Sequence, residues 1–209
     1  MKKRIIGFVI IAGLLAPRAI QSQGVIYLSN LTEPSIGTSA VASNSVNGLN
    51  FITGANAGGY LLDSVQLSMA NATGNPGGFS VMLNVLVNPL NGYETNVGAL
   101  IGSRDPSSAG VYAYAPDSGL LLSANTYYTI ILTAETTATD GAYEWNLTST
   151  RLGSTGNGWA GPGFGNFSIA TEFPQYAITA TPMPEPGVLS LFALGGLGFL
   201  WQRRKAKAF

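Results

Sequence analysis

The chain has 209 residues, and its ten basic and ten acidic residues leave it formally neutral, with a hydrophobic content of 46%. It contains no histidine and no cysteine. Their absence excludes catalytic sites built on histidine bases or thiol nucleophiles, the common zinc ligands, and stabilisation by disulfides. Stability must come from buried apolar surface, and a single domain of about 160 residues is large enough to supply it.

The first 22 residues are typical of a secretory signal peptide. A positively charged amino end at residues 2–4 precedes an apolar stretch at residues 5–15, and small or polar residues follow. This order predicts export through the Sec machinery and cleavage within residues 19–23. We therefore take residues 1–22 as the signal peptide and residues 23–181 as the body of the protein.

The body alternates apolar and polar side chains, as β-strands with one buried face do. Over residues 61–69, for example, Val65, Leu67 and Met69 alternate with polar residues. Clusters rich in turn-forming residues separate such stretches, at residues 74–78, 88–92 and 105–108. Strands are predicted at residues 25–29, 49–53, 61–69, 79–87, 97–102, 111–114, 126–134, 142–149 and 176–180.

Short strands at this spacing, with no amphipathic helical stretch between them, are typical of all-β proteins. We expect one antiparallel β-sandwich of jelly-roll type, preceded by the signal peptide and followed by a C-terminal apolar helix. The sequence leaves the strand order open. The glycine-rich segment 153–165 is predicted to be a long loop.

The beginning of the body carries a family resemblance. Residues 27–31 (YLSNL), Pro34-Ser35 and residues 51–67 (FITGANAGGYLLDSVQL) resemble the choice-of-anchor R group of bacterial exported domains. The similarity is clearest over residues 27–69 and departs from the group at Asn50, where a polar pair is usual. The resemblance implies a location at the cell surface and no particular activity.

Charge is distributed unevenly along the chain. Eight of the ten basic residues lie in the two ends. The body keeps two basic residues, Arg104 and Arg151, and nine acidic ones, so its net charge is −7. Without a basic patch to neutralise phosphates, we expect no nucleic acid among the partners.

Carboxylates of the body offer two weak site candidates. Asp140 and Glu144, with Glu135 nearby in sequence, are of the type that glycoside hydrolysis requires, although solvated carboxylates at strand ends are the commoner arrangement. Calcium held by loop aspartates is chemically feasible, but no EF-hand pattern is present. We expect no enzyme, no cofactor and no metal site. The aspartates considered for calcium are Asp63, Asp105, Asp117 and Asp140.

Three aromatic residues are candidates for glycan contact. Tyr112, Trp145 and Trp159 could stack on sugar rings if they are exposed, and packing in the core or as loop anchors is the alternative. Exposed rings would indicate a carbohydrate-binding module, whereas packed rings would have a structural role.

The last 28 residues, 182–209, have three parts. Pro182, Pro184 and Pro186 keep the first part out of helix and sheet. The apolar run 188–201 has 14 residues, fewer than the roughly 17 to 25 of a usual span, so we expect a transient anchor in the inner membrane. A basic end follows and should remain cytoplasmic; it includes Arg203, Arg204 and Lys205.

This order resembles the PEP-CTERM sorting signal of Gram-negative bacteria, with Pro184, Glu185 and Pro186 as its motif. The resemblance implies recognition and cleavage near the motif by an exosortase, a membrane-embedded processing enzyme. We expect an exported, non-enzymatic protein of the cell surface or extracellular matrix, associated with exopolysaccharide. The alternatives are a carbohydrate-binding β-sandwich module and a glycoside hydrolase-like enzyme.

Overall fold

A computed structural model describes residues 24–45, 47–88, 93–102, 104–161 and 171–185. The predicted signal peptide, the C-terminal apolar helix and the basic end lie outside the described residues. Within the described ranges, no helix has the length and apolar character to cross a membrane.

The described part of the chain forms thirteen strands. All nine predicted strands are present, and four short ones are added. The strands are β1 Val25–Ser29, β2 Gly37–Val41, β3 Asn47–Ile52, β4 Tyr60–Met69, β5 Thr73–Gly74, β6 Phe79–Asn88, β7 Tyr93–Gly102, β8 Gly110–Pro116, β9 Leu120–Leu122, β10 Tyr127–Ala134, β11 Gly141–Thr148, β12 Phe173–Pro174 and β13 Tyr176–Pro182.

These strands pair into one sheet, with every pairing in the described ranges antiparallel. The main path runs β1-β13-β4-β8-β7-β6-β10-β3, and β11 joins it to β2, β5 and β12. The prediction of an antiparallel all-β body is confirmed. The pairing gives one strongly curled sheet, a half-barrel, where two separate sheets of jelly-roll type were expected.

Bulges help to produce the curl, because an extra residue bends a strand and increases its twist. Tyr27 is the extra residue of β1, since Ile26 pairs with Thr179 and Leu28 pairs with Ile178. On β4, Asp63 is passed over in the pairing with β13. Further irregularities lie between β6 and β7. The two-residue alternation in the sequence indicates which face of a strand is buried, but it does not indicate where a strand bends. The sequence therefore could not distinguish a curled sheet from a sandwich.

The core residues alternate along the strands with more exposed ones, as on β4. On β4, Val65, Leu67 and Met69 are buried, as the alternation predicted. Leu62 is also buried, three positions before Val65, because the bulge at Asp63 shifts the alternation by one residue.

An aromatic cluster closes one part of this core around Trp159. The Trp159 ring stacks on Tyr27 with centroids 4.6 Å apart and on Phe51 at 5.9 Å, and it meets Tyr60 edge-on at 5.0 Å. Trp159 lies in the segment predicted to be a loop, and it anchors that loop through its buried side chain. Residues 162–165 of the predicted loop lie outside the described residues.

We expect Trp159→Ala to lower the free energy of unfolding by about 3 to 5 kcal/mol, because it removes a large side chain from a packed cluster. Val111→Ala is the control, since Val111 is 57% exposed and should change stability by less than about 0.5 kcal/mol. Urea unfolding followed by far-ultraviolet circular dichroism measures both. Equal midpoints for the two variants would contradict the packing described here.

Candidate functional site

The predicted sorting motif begins immediately after the last strand. β13 runs between β1 and β4, and its final residue, Pro182, pairs with Tyr60. Pro184 and Glu185 follow two and three residues later and are exposed. The motif therefore starts at the surface of the folded body, with almost no spacer.

Hydrogen bonds hold the residue before the motif. The Met183 N–H donates to the Gly59 carbonyl oxygen at 3.0 Å. The Asn56 side-chain amide donates to the Met183 carbonyl oxygen at 2.9 Å and to the Gly59 carbonyl oxygen at 2.6 Å. Both backbone groups of Met183 are thus bound to the turn between β3 and β4.

Two adjacent glycines allow Met183 and Pro184 to pass close to this turn. The Gly59 N–H donates to the Asn56 carbonyl at 2.8 Å, which closes the turn, and Gly59 has a φ of +75°, a region that favours glycine. A methyl group on Gly58 would lie 2.5 Å from the Met183 carbonyl oxygen and 2.7 Å from that of Pro184. We call Asn56, Gly58 and Gly59 the tail clamp.

The first strand starts beside the same exit. Val25 of β1 pairs with Ala180, and Ile26 pairs with Thr179. Because the pairing is antiparallel, the start of β1 lies next to the end of β13. The chain therefore enters the body from the predicted signal peptide and leaves it toward the motif at neighbouring positions of the sheet.

Residues 184–205 match the PEP-CTERM protein-sorting motif. The match includes the Pro184-Glu185-Pro186 triplet together with Arg203, Arg204 and Lys205. A PEP-CTERM motif implies an exported protein that an exosortase processes and that is sorted to the cell surface. No curated protein matches this chain. The match does not extend to residues 27–69, so the choice-of-anchor R resemblance stays a prediction.

The three aromatic residues considered for glycan contact lie in the core. Trp145 and Trp159 have no exposed surface, and Tyr112 is 6% exposed. The Trp145 indole N–H donates to the Gln175 carbonyl at 3.0 Å, and the Tyr112 hydroxyl donates to the Ser108 carbonyl at 2.8 Å. The structure favours the packing alternative for these rings, because neither indole has a face open to a sugar.

The two carboxylates considered for catalysis accept hydrogen bonds from threonine hydroxyls. Asp140 precedes β11 and accepts a hydrogen bond of 2.6 Å from the Thr137 hydroxyl. Glu144 accepts one of 3.3 Å from the Thr73 hydroxyl. In the described ranges, no group of three or more acidic side chains is placed to hold a metal ion.

Another acidic residue has a buried phenol as its partner. The Tyr143 hydroxyl donates to Asp105 Oδ2 at 3.1 Å. Burial, and next the hydrogen bond to Asp105, raise the pKa of Tyr143 to about 12. Tyr143 is therefore a neutral donor at physiological pH and fixes the Asp105 carboxylate.

Sequence reasoning found the motif and missed the tail clamp. The clamp joins Asn56 to Met183, which are 127 positions apart in the chain. The run Asn56-Ala57-Gly58-Gly59 is a recognisable turn signal. That signal gives no indication of which distant segment passes over the turn.

We expect Gly58→Ala to lower the free energy of unfolding by about 1 to 3 kcal/mol, because the added methyl group overlaps two backbone oxygens that cannot rotate away. Gly153→Ala is the matched control, since a methyl group there meets nothing within 4 Å. Thermal unfolding of the two variants and the parent measures the difference. Equal melting temperatures for both variants would show that the tail does not pass over Gly58.

Proposed function

We propose that this chain is a non-enzymatic exported protein whose β-sheet body is the cargo of its own sorting tail. The Sec machinery exports it, the tail anchors it transiently in the inner membrane, and an exosortase cleaves near Pro184-Glu185-Pro186. The body is then retained at the surface of a Gram-negative-type bacterium or released into its exopolysaccharide matrix. The match of residues 184–205 to the sorting motif is the observation that carries this proposal.

The position of the motif supports processing at the end of the folded body. Pro184 and Glu185 are exposed, and the prolines keep the segment extended and accessible to an enzyme. Val188, where the apolar run begins, is five positions after Met183, a reach of at most about 18 Å. The exosortase would therefore act in a narrow gap between the body and the membrane.

The neighbouring positions of the two ends of the body support an orientation in which both ends point toward the membrane. Before cleavage, the signal peptide and the apolar run are both held in the membrane, and both connect to the body where Val25 pairs with Ala180. A body whose two ends leave side by side can be tethered at both without distortion. This end of the sheet would face the membrane during transit.

The chemistry of the body supports a non-enzymatic role. It offers neither a histidine nor a cysteine. Asp140 and Glu144, the carboxylates considered for hydrolysis, are bonded to threonine hydroxyls of neighbouring turns and strands. These contacts fit a structural role.

The test compares processing of Glu185→Gln with that of Glu172→Gln in the native host. Glu172 is an exposed residue of the body, so its variant makes the same chemical change outside the motif. We expect the parent and Glu172→Gln to be recovered outside the cell without residues 203–209. Glu185→Gln should accumulate in the membrane fraction with that segment intact, because the enzyme no longer reads the motif.

Mass spectrometry of the C-terminal peptide distinguishes these forms. An intact basic end on extracellular parent protein would refute sorting by an exosortase. Normal trimming of Glu185→Gln would show that the motif carboxylate is not read.

A further inference from the structure

The tail clamp surrounds Met183 with hydrogen bonds. The Asn56 side-chain amide has two hydrogens, and it donates to the carbonyl oxygens of both Gly59 and Met183. The Gly59 carbonyl oxygen also accepts the Met183 N–H, so both of its lone pairs are used. The N–H and the carbonyl of Met183 are therefore both engaged within the body.

The turn that carries the clamp is fixed to the aromatic core. The Asn56 backbone N–H donates to the Tyr60 hydroxyl at 3.2 Å. The Tyr60 side chain is 4% exposed, and its ring meets Trp159 edge-on. Pro182, the last residue of β13, pairs with the same Tyr60. The chain is thus held without a break from β13 to Met183.

This hold ends at Met183. Within the described ranges, the backbones of Pro184 and Glu185 make no hydrogen bond to the body, and both residues are exposed. Extended segments are bound by their partners through main-chain hydrogen bonds, and the main-chain groups of Met183 are occupied while the clamp is closed. The segment that an enzyme can bind therefore starts at Pro184, four residues before Val188 and the apolar run.

We propose that the tail clamp sets the upstream limit of the cut, with Asn56 as a positioning residue. The inference rests on the proposed processing by an exosortase. While Met183 is held, the enzyme binds only the segment that begins at Pro184, so the mature protein keeps Pro182 and Met183 at the end of β13. Asn56 acts through Met183 and lies outside the motif.

A post-proline endoprotease that accepts whole proteins tests the clamp on the full-length chain in detergent. The bond after Pro182 lies inside the clamp, and the bonds after Pro184 and Pro186 lie beyond it. The bond after Pro174 reports general unfolding, because Gln175 is only 3% exposed. In the folded parent we expect cuts after Pro184 or Pro186 and none after Pro182, identified by mass spectrometry.

Asn56→Asp opens the clamp, because a carboxylate of nearly the same shape cannot donate to the two carbonyl oxygens. The measured quantity is the rate of cutting after Pro182 divided by the rate after Pro174, so that a general loss of stability cancels. We expect this ratio to rise at least about tenfold, because two hydrogen bonds are lost and cutting follows the population of the open tail.

Asn71→Asp is the matched control, with the same change of charge on another exposed loop. The Asn71 side-chain oxygen accepts from the Ala109 N–H at 2.9 Å, and an aspartate keeps that role, so the ratio should stay as in the parent. Cutting after Pro182 in the folded parent, or equal ratios for Asn56→Asp and Asn71→Asp, would overturn the proposal.

The mature end formed in the native host tests the same limit on the processing enzyme itself. We expect the extracellular parent protein to end at Pro184 or later. A mature end at Met183 or earlier would overturn the proposal. A chain that keeps residues 203–209 would instead refute sorting by an exosortase, and the endoprotease experiment separates the two failures because it needs no exosortase.

Discussion

The pairing of β13 on both of its edges is the constraint on which the rest of the structure depends. β1 lies on one side and β4 on the other, so the backbone groups of β13 find partners in two directions. Tyr176, Ile178 and Ala180 of this strand are fully buried. This pairing brings the two ends of the body together and places the sorting motif at the surface, one residue beyond Met183.

Much of the strand content follows from alternation in the sequence. β1 was predicted with its observed bounds, and the long strands β4 and β6 differ by one residue at an end. β2 was missed because Gly37–Val41 is mostly small and polar, and its strand conformation comes from pairing with β11. The curl was not predictable, because Tyr27 and Asp63 become bulge residues only through the register with β13.

A candidate site could be predicted from the sequence when its residues are contiguous, and could not when the fold brings distant residues together. The sorting motif is contiguous, so its residue types and order were sufficient to find it. The tail clamp depends on the meeting of Asn56 and Met183, which only the fold brings about. For the aromatic candidates, residue type left both glycan contact and core packing open because it does not report exposure, and the fold buries Trp145 and Trp159.

Hydrogen exchange of the intact protein tests the central role of β13 most directly. The account predicts that the amides of Tyr176 to Thr181 exchange as slowly as those of β4, since releasing them requires opening both neighbouring pairings. Exchange of these amides as fast as in the exposed turn at Asp117 and Ser118 would contradict it, because the sorting tail would then begin at an unpaired segment and not at a strand paired on both edges.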